Sequence, residues 1–313
     1  MLLQAWGILW VVIGHAPHYI LYDEPEYAQF LRDIARPVRM PSFIFISGLL
    51  FYMTRISLPE KWNYISIVKE KAIRIGIPFI AITIVAYIFK CLVGHDKDYH
   101  FGLNTFLTSF VTPSEGPAAM LWFSMTIFVF FLLYHLWYYA TKKGMWECIL
   151  LIILYYIHYA GIGVNYFCLG YCAKFGVWFY AGILVAKYKV YLQIEKKGGA
   201  TFLLGLAVFV LGWIIDIRDV ITIGGISLSC GLCVLLDKHY PNIFKSFRNY
   251  TYQIFLISCF AQIGVKTITR HYEFPYFPIY VCSIIIGLYT PVFLSIIAKK
   301  TNNKYLLLSL GLK

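Results

Sequence analysis

A chain of 313 residues with 60% hydrophobic and only 13% charged side chains, and a mean hydropathy of +0.70, exposes too little polar surface for a soluble protein and belongs in a bilayer. Its net charge of +12 is read, in that setting, as an orientation signal for membrane loops rather than as a nucleic-acid patch, so no nucleic-acid partner is expected. The 26 Tyr, 25 Phe and 8 Trp supply rings that collect at membrane interfaces.

Crossing the hydrocarbon takes about 20 apolar residues, and ten segments of that kind are predicted in chain order: 2–21, 40–57, 75–93, 119–139, 146–162, 168–187, 201–217, 220–236, 249–268 and 276–298. No basic leader and no small-residue cleavage site precede "DEPEY", so the first helix is expected to stay. An in-frame basic segment upstream of Met1 would move the start. The longest loop, "GHDKDYHFGLNTFLTSFVTPSEGPAA", carries Phe and Leu that suggest it partly re-enters or caps the bundle. No repeat and no separate soluble domain is visible, which predicts one integral-membrane domain over 1–313.

Short cytoplasmic loops hold the excess Lys and Arg. Loops after even-numbered segments carry Arg55, Lys61, Lys69, Lys71 and Arg74; Lys142 and Lys143; Lys187, Lys189, Lys196 and Lys197; Lys238, Lys245 and Arg248; then Lys299, Lys300 and Lys304. Loops after odd-numbered segments carry Asp23, Glu24, Glu26, Asp33, Asp96, Asp98, Glu115, Asp216, Asp219 and Glu273 with fewer cations. This alternation predicts an all-α polytopic bundle of about ten spans with both termini cytoplasmic.

The first span, "LLQAWGILWVVIGHAPH", ends on histidines. His15 lies about 20 Å along the helix, in the outer half of the membrane under that orientation. Gln4, eleven positions earlier, falls on the same face to within about 20°, and Gly7 and Gly14 admit a close neighbour. His15 is either a packed interhelical hydrogen-bonding group or, as an ionisable residue within a span, a functional one. Arg39, before Met40-Pro41, is placed at the outer boundary at a depth similar to His15; it either snorkels to headgroups or serves a site. Pro41 suits the first turn of a helix there, and Ser47-Gly48 interrupts the bulky run that follows. In "VKEKAIRIGIPF", Lys71 and Arg74 stand one turn apart on one face, either as an inside anchor or as a pair able to hold phosphates. The eight cysteines fall mostly in apolar runs, where they act as small hydrophobes, and "CGLC" at 230–233 lacks a redox context.

"QAWGILWVVIGH", "RMPSFIFISGLLF", "KAIRIGIPF", "LWFSMTIF" and "YTYQIFLIS", in this order, resemble the acyltransferase 3 family, especially its branch of fucose 4-O-acetylases and related acetyltransferases, over essentially the whole chain. The resemblance implies a bacterial inner-membrane O-acyltransferase that moves an acyl group, commonly acetyl from cytosolic acetyl-CoA, to a hydroxyl of a sugar or surface polysaccharide. The family's first span pairs an arginine with a histidine after ten intervening residues. His15 matches the histidine, whereas Gln4 stands at the arginine position. The family's cationic pair before the third span appears as Lys71 and Arg74, which the resemblance turns towards the donor's phosphates.

Acyl transfer to an alcohol needs a base, and an imidazole, with an ordinary pKa near 6.5, suits that role at neutral pH. It also needs donors for the developing oxyanion; Arg39, Trp122, Ser47 and Ser124 are candidates. No nucleophile elbow, phosphate loop or HExxH is present, and Pro17 between His15 and His18 argues against a metal pair, so no metal is expected. A transporter or flippase of envelope precursors, with Lys174 lining its pathway, and a non-enzymatic assembly factor both remain open. Acceptor specificity is expected in outer-loop aromatics such as Tyr99, Phe101 and Tyr272.

Overall fold

A chain this poor in polar residues can satisfy its backbone groups in hydrocarbon only through helices or closed barrels. The computed structural model describes residues 2–19, 24–61, 63–93, 101–269 and 275–312, and among them it holds helices and no strand. In chain order the helices are α1 (Leu2–His15), α2 (Glu26–Phe51, prolonged by a π turn to Ile56), α3 (Tyr64–Lys71), α4 (Ile77–Val93), α5 (Leu103–Val111), α6 (Trp122–Leu132) and α7 (Tyr134–Ala140). They continue as α8 (Gly144–Ala160), α9 (Leu169–Lys187), α10 (Val190–Lys196), α11 (Gly198–Ile214), α12 (Arg218–His239), α13 (Thr251–Thr269), α14 (Tyr276–Thr301) and α15 (Lys304–Ser309).

Each of the ten predicted apolar segments falls on a helix. Five continuous helices among the described residues are long and apolar enough to cross a membrane: Glu26–Ile56, Tyr64–Leu92, Tyr166–Lys187, Arg218–His239 and Tyr276–Thr301. Two bent pairs, α6 with α7 and α10 with α11, raise the number to seven if each pair is counted as one span. Helices α1 and α8 are apolar but shorter. Asp96 and Asp98 of the longest loop lie outside the described residues, as do Tyr99, Tyr272 and Glu273. From Phe101 onwards that loop packs on α4: Phe106 of α5 meets Tyr87 edge-on at 5.3 Å, Phe110 meets Phe79 at 6.3 Å, and the Gly102 amide donates to the Tyr87 hydroxyl at 3.0 Å.

Contacts divide the chain into two compact units, Met1–Ile46 with Lys189–Lys300, and Ser47–Tyr188 with Thr301–Lys313. In the first, α1 packs on α12 and α13, while α11 and α12 touch backbone to backbone. A Cβ at Gly224 would run into the Phe209 backbone, which is the close approach that small residues allow between membrane helices. In the second, the aromatic rings of Phe51, Phe130, Trp137, Phe179 and Tyr180 are buried together. The bend of 56° between α6 and α7 falls at Leu133, where the buried indole of Trp137 donates to the Phe130 carbonyl at 2.7 Å.

Two prolines in the first unit explain how α1 and α2 are held. Pro41 is not in a first turn, as the sequence suggested, because α2 begins at Glu26 and runs through both Pro37 and Pro41. A proline has no N–H to give to the carbonyl four residues back, so Pro41 frees the Pro37 carbonyl. The buried Thr222 hydroxyl of α12 donates to that carbonyl at 2.9 Å, which lets the helix continue. Pro17 likewise leaves the Ile13 carbonyl of α1 without its helical donor, and the Tyr280 hydroxyl of α14 reaches it at 3.5 Å.

Candidate active site

Helix α1 is apolar and ends at His15, followed by the short 3-10 turn Ala16–Tyr19. The last four carbonyls of any helix lack helical partners, and here three neighbouring helices converge on that last turn. From α13, the fully buried Gln262 donates its Nε2 to the Val12 carbonyl at 3.1 Å. From α14, Tyr280 approaches Ile13. From α2, the Arg39 guanidinium lies against Gly14 so closely that a Cβ there would overlap its Nη1. His15, half-buried, is the next residue. Gln4 is also half-buried, near the other end of the same helix.

Arg39 therefore sits well inside α2 rather than at the start of a span, and it packs on the turn that carries His15. Its Nη1 is buried and without a hydrogen-bond partner among the described residues, an expensive state for a guanidinium. Arg39 also lines a cavity of about 130 Å³ within the first unit, walled mainly by Trp6, Trp10, Ile34, Val38 and Leu228. The other polar walls are already engaged: the Ser42 hydroxyl donates to the Val38 carbonyl at 2.7 Å, and the Trp6 indole donates to Ser229 Oγ at 3.3 Å. Chemically, the arrangement offers an apolar space with Arg39 in its wall, and the unpaired Nη1 of that arginine packs against Gly14.

The remaining residues singled out in the sequence belong to the second unit. Lys71 closes α3 and Arg74 lies in the π turn Ala72–Gly76. That wider turn rotates Arg74 off the line of Lys71, so the two do not share one exposed face as the α-helical spacing suggested. The Lys71 ammonium lies over the Phe131 ring, 4.3 Å from its centroid, whereas the Arg74 side chain is 53% exposed and 3.7 Å from Glu70. Glu70 also holds Arg55 at 2.6 Å, and Arg55 is buried rather than free in a loop. Two arginines thus share one carboxylate with Lys71 next to it in sequence, which leaves a local excess of positive charge. Trp122 stacks on Tyr171 at 4.2 Å and on Phe175 at 5.4 Å. The buried Ser124 hydroxyl has no hydrogen-bond partner among the described residues. Ser47 is half-buried and Lys174 is on the surface, 5.6 Å from the Phe175 ring.

Gln262 and Tyr280 were missed in the sequence; the detectable signal was a glutamine inside the apolar run of α13. The side chain of His18 lies outside the described residues. All eight cysteines are free thiols. No group of three or more His, Cys, Asp or Glu positioned to hold a metal occurs among the described residues.

Comparisons with known proteins bear on the whole chain. The family model described as an acyltransferase domain, acyltransferase 3, matches residues 2–296. No curated protein and no solved structure gave a match. With nearly its full length covered by that one model and several membrane-capable helices, the chain belongs to the acyltransferase 3 family and is a multi-pass membrane acyltransferase.

Proposed function

We propose that this chain transfers an acyl group, acetyl first, from cytosolic acyl-CoA to a hydroxyl of a sugar or surface polysaccharide, working as one domain in a bacterial inner membrane. The observation that carries the reading is the Arg39 guanidinium packed on Gly14, the residue before His15, in a chain of an acyltransferase family. Neutral His15 takes the proton of the acceptor hydroxyl as general base. Arg39, with a buried Nη1 that has no partner among the described residues, donates to the oxyanion that forms at the acyl carbonyl. The adjoining cavity of about 130 Å³ supports a short acyl group.

Lys71 and Arg74 hold the donor's phosphates, an assignment supported by the positive excess around Glu70. Gln4, Ser47, Trp122 and Lys174 are supporting or substrate-facing positions. Ten spans with both termini cytoplasmic remain the proposed topology, based on the alternation of basic and acidic loops. It puts His15 in the outer half of the bilayer, towards an external acceptor.

The test supplies acetyl-CoA labelled in its acetyl group to inverted membrane vesicles containing the protein. Covalent label on a saccharide, lost with His15→Ala, supports the reading. Movement of an unmodified solute would make the chain a transporter instead, and neither outcome would point to a non-enzymatic assembly role.

A further inference from the structure

A second cavity, within the second unit, plays no part in the proposed transfer. It is a groove of about 570 Å³ between α7 and α8, within the range of ligand-sized pockets. One end carries Lys142 and Lys143 from the turn joining the two helices, with Tyr139 and Trp146 beside them, and the other end is formed by Leu136, Ile149 and Ile153 with His135 at its edge. From Trp146 to Ile153 the apolar wall runs about 10 Å along α8 at the usual helical rise.

The groove is thus amphipathic along its length, and its charge is not internally neutralised. The Lys142 ammonium lies over the rings of Tyr138 and Tyr139, at 4.4 and 5.6 Å, and neither lysine forms an ion pair among the described residues. The nearest acidic residue in the sequence, Glu147, is buried and engaged by Lys187 and by the Tyr188 hydroxyl at 2.6 Å. A groove on a membrane protein is filled by lipid rather than left empty. Paired lysines at its polar end, framed by aromatic rings of the kind that sit at headgroup level, select the charge of that lipid.

We propose that the α7–α8 groove is a binding site for one anionic phospholipid, with its phosphate at Lys142 and Lys143 and an acyl chain along Leu136, Ile149 and Ile153. The site is separate from the residues assigned to acyl transfer and does not depend on that assignment. It commits to a bilayer lipid; a free phosphate would gain nothing from the apolar wall.

The full-length protein is reconstituted in nanodiscs of equal parts phosphatidylglycerol and phosphatidylcholine, released into detergent, and its retained lipid counted by native mass spectrometry. One phosphatidylglycerol retained in preference to phosphatidylcholine is expected. Each basic residue near an anionic headgroup is worth a factor of about five, so Lys142→Gln with Lys143→Gln weakens retention about thirty-fold. Ile153→Trp, which fills the apolar end and leaves both lysines, also expels the lipid, while Lys196→Gln with Lys197→Gln changes nothing. Circular dichroism and gel filtration identify any misfolded variant. In that case excess glycerol phosphate is added to the wild type, which must keep its phosphatidylglycerol. Equal retention of the two lipids by the wild type, undiminished retention in the folded Lys142/Lys143 double variant, or displacement by glycerol phosphate would each overturn the proposal.

Discussion

The guanidinium of Arg39 occupies the space that a side chain at Gly14 would need. The glycine is therefore fixed by a neighbour on another helix and not by its own backbone. Because the overlapping atom is the far end of a flexible side chain, Gly14→Ala should cost little stability but displace the guanidinium. A displacement of about 1 Å costs up to roughly 10²-fold in rate. Transfer activity is expected to fall by that order, with the melting temperature in detergent nearly unchanged; a fully active Gly14→Ala enzyme would remove Arg39 from the reaction.

His15→Ala should lose roughly 10² to 10⁴ in transfer, the usual contribution of a positioned general base, with normal abundance and membrane insertion. His18→Ala, beyond Pro17, should be far milder. Product formation at matched expression decides it: an active His15→Ala protein reduces His15 to a packing residue.

Replacing Lys71 and Arg74 with Gln should raise the KM for acyl-CoA much more than the KM for the acceptor. The single changes should differ, because Lys71 packs on Phe131 while Arg74 is half-exposed. Lys71→Gln is expected to lower thermal stability as well, and Arg74→Gln to leave it unchanged. Equal effects on both KM values would indicate a folding or insertion defect.

Thr222→Val tests the repair of α2 at Pro41. Without the hydroxyl, the Pro37 carbonyl is left unpaired in a buried helix contact, and interhelical hydrogen bonds in membranes are worth about 0.6 to 2 kcal/mol. Unfolding in detergent should become easier by that amount, whereas Thr222→Ser should retain most of the stability.

Reporter fusions after Lys143, after Lys197 and at Lys313 should read cytoplasmic, and one within 96–116 external. An external reading at Lys197 would refute the ten-span arrangement.

The medium, the helical class and the family were legible in the sequence because each depends on local or serial properties. Mean hydropathy fixes the environment, apolar run length fixes the helices, and the order of short motifs from "QAWGILWVVIGH" to "YTYQIFLIS" carries the family. His15 was also visible, as an ionisable group in an apolar run. Its surroundings were not. Gln262 reaches Val12 across 250 residues of chain and Tyr280 reaches Ile13 across 267, and no pattern of period 3.6 encodes such partners. The same limit misplaced Pro41: alone it reads as a helix start, whereas in mid-helix the carbonyl it frees is met by the Thr222 hydroxyl from α12. Lys71 and Arg74 read as one face because α-helical geometry was assumed, and the π turn at Ala72–Gly76 separates them. Sequence thus determined what each segment is, through solvation and backbone hydrogen bonding within the segment. Tertiary structure alone decided which polar groups meet, because in an apolar medium a freed carbonyl or a buried guanidinium must be accommodated by whichever distant helix packs against it.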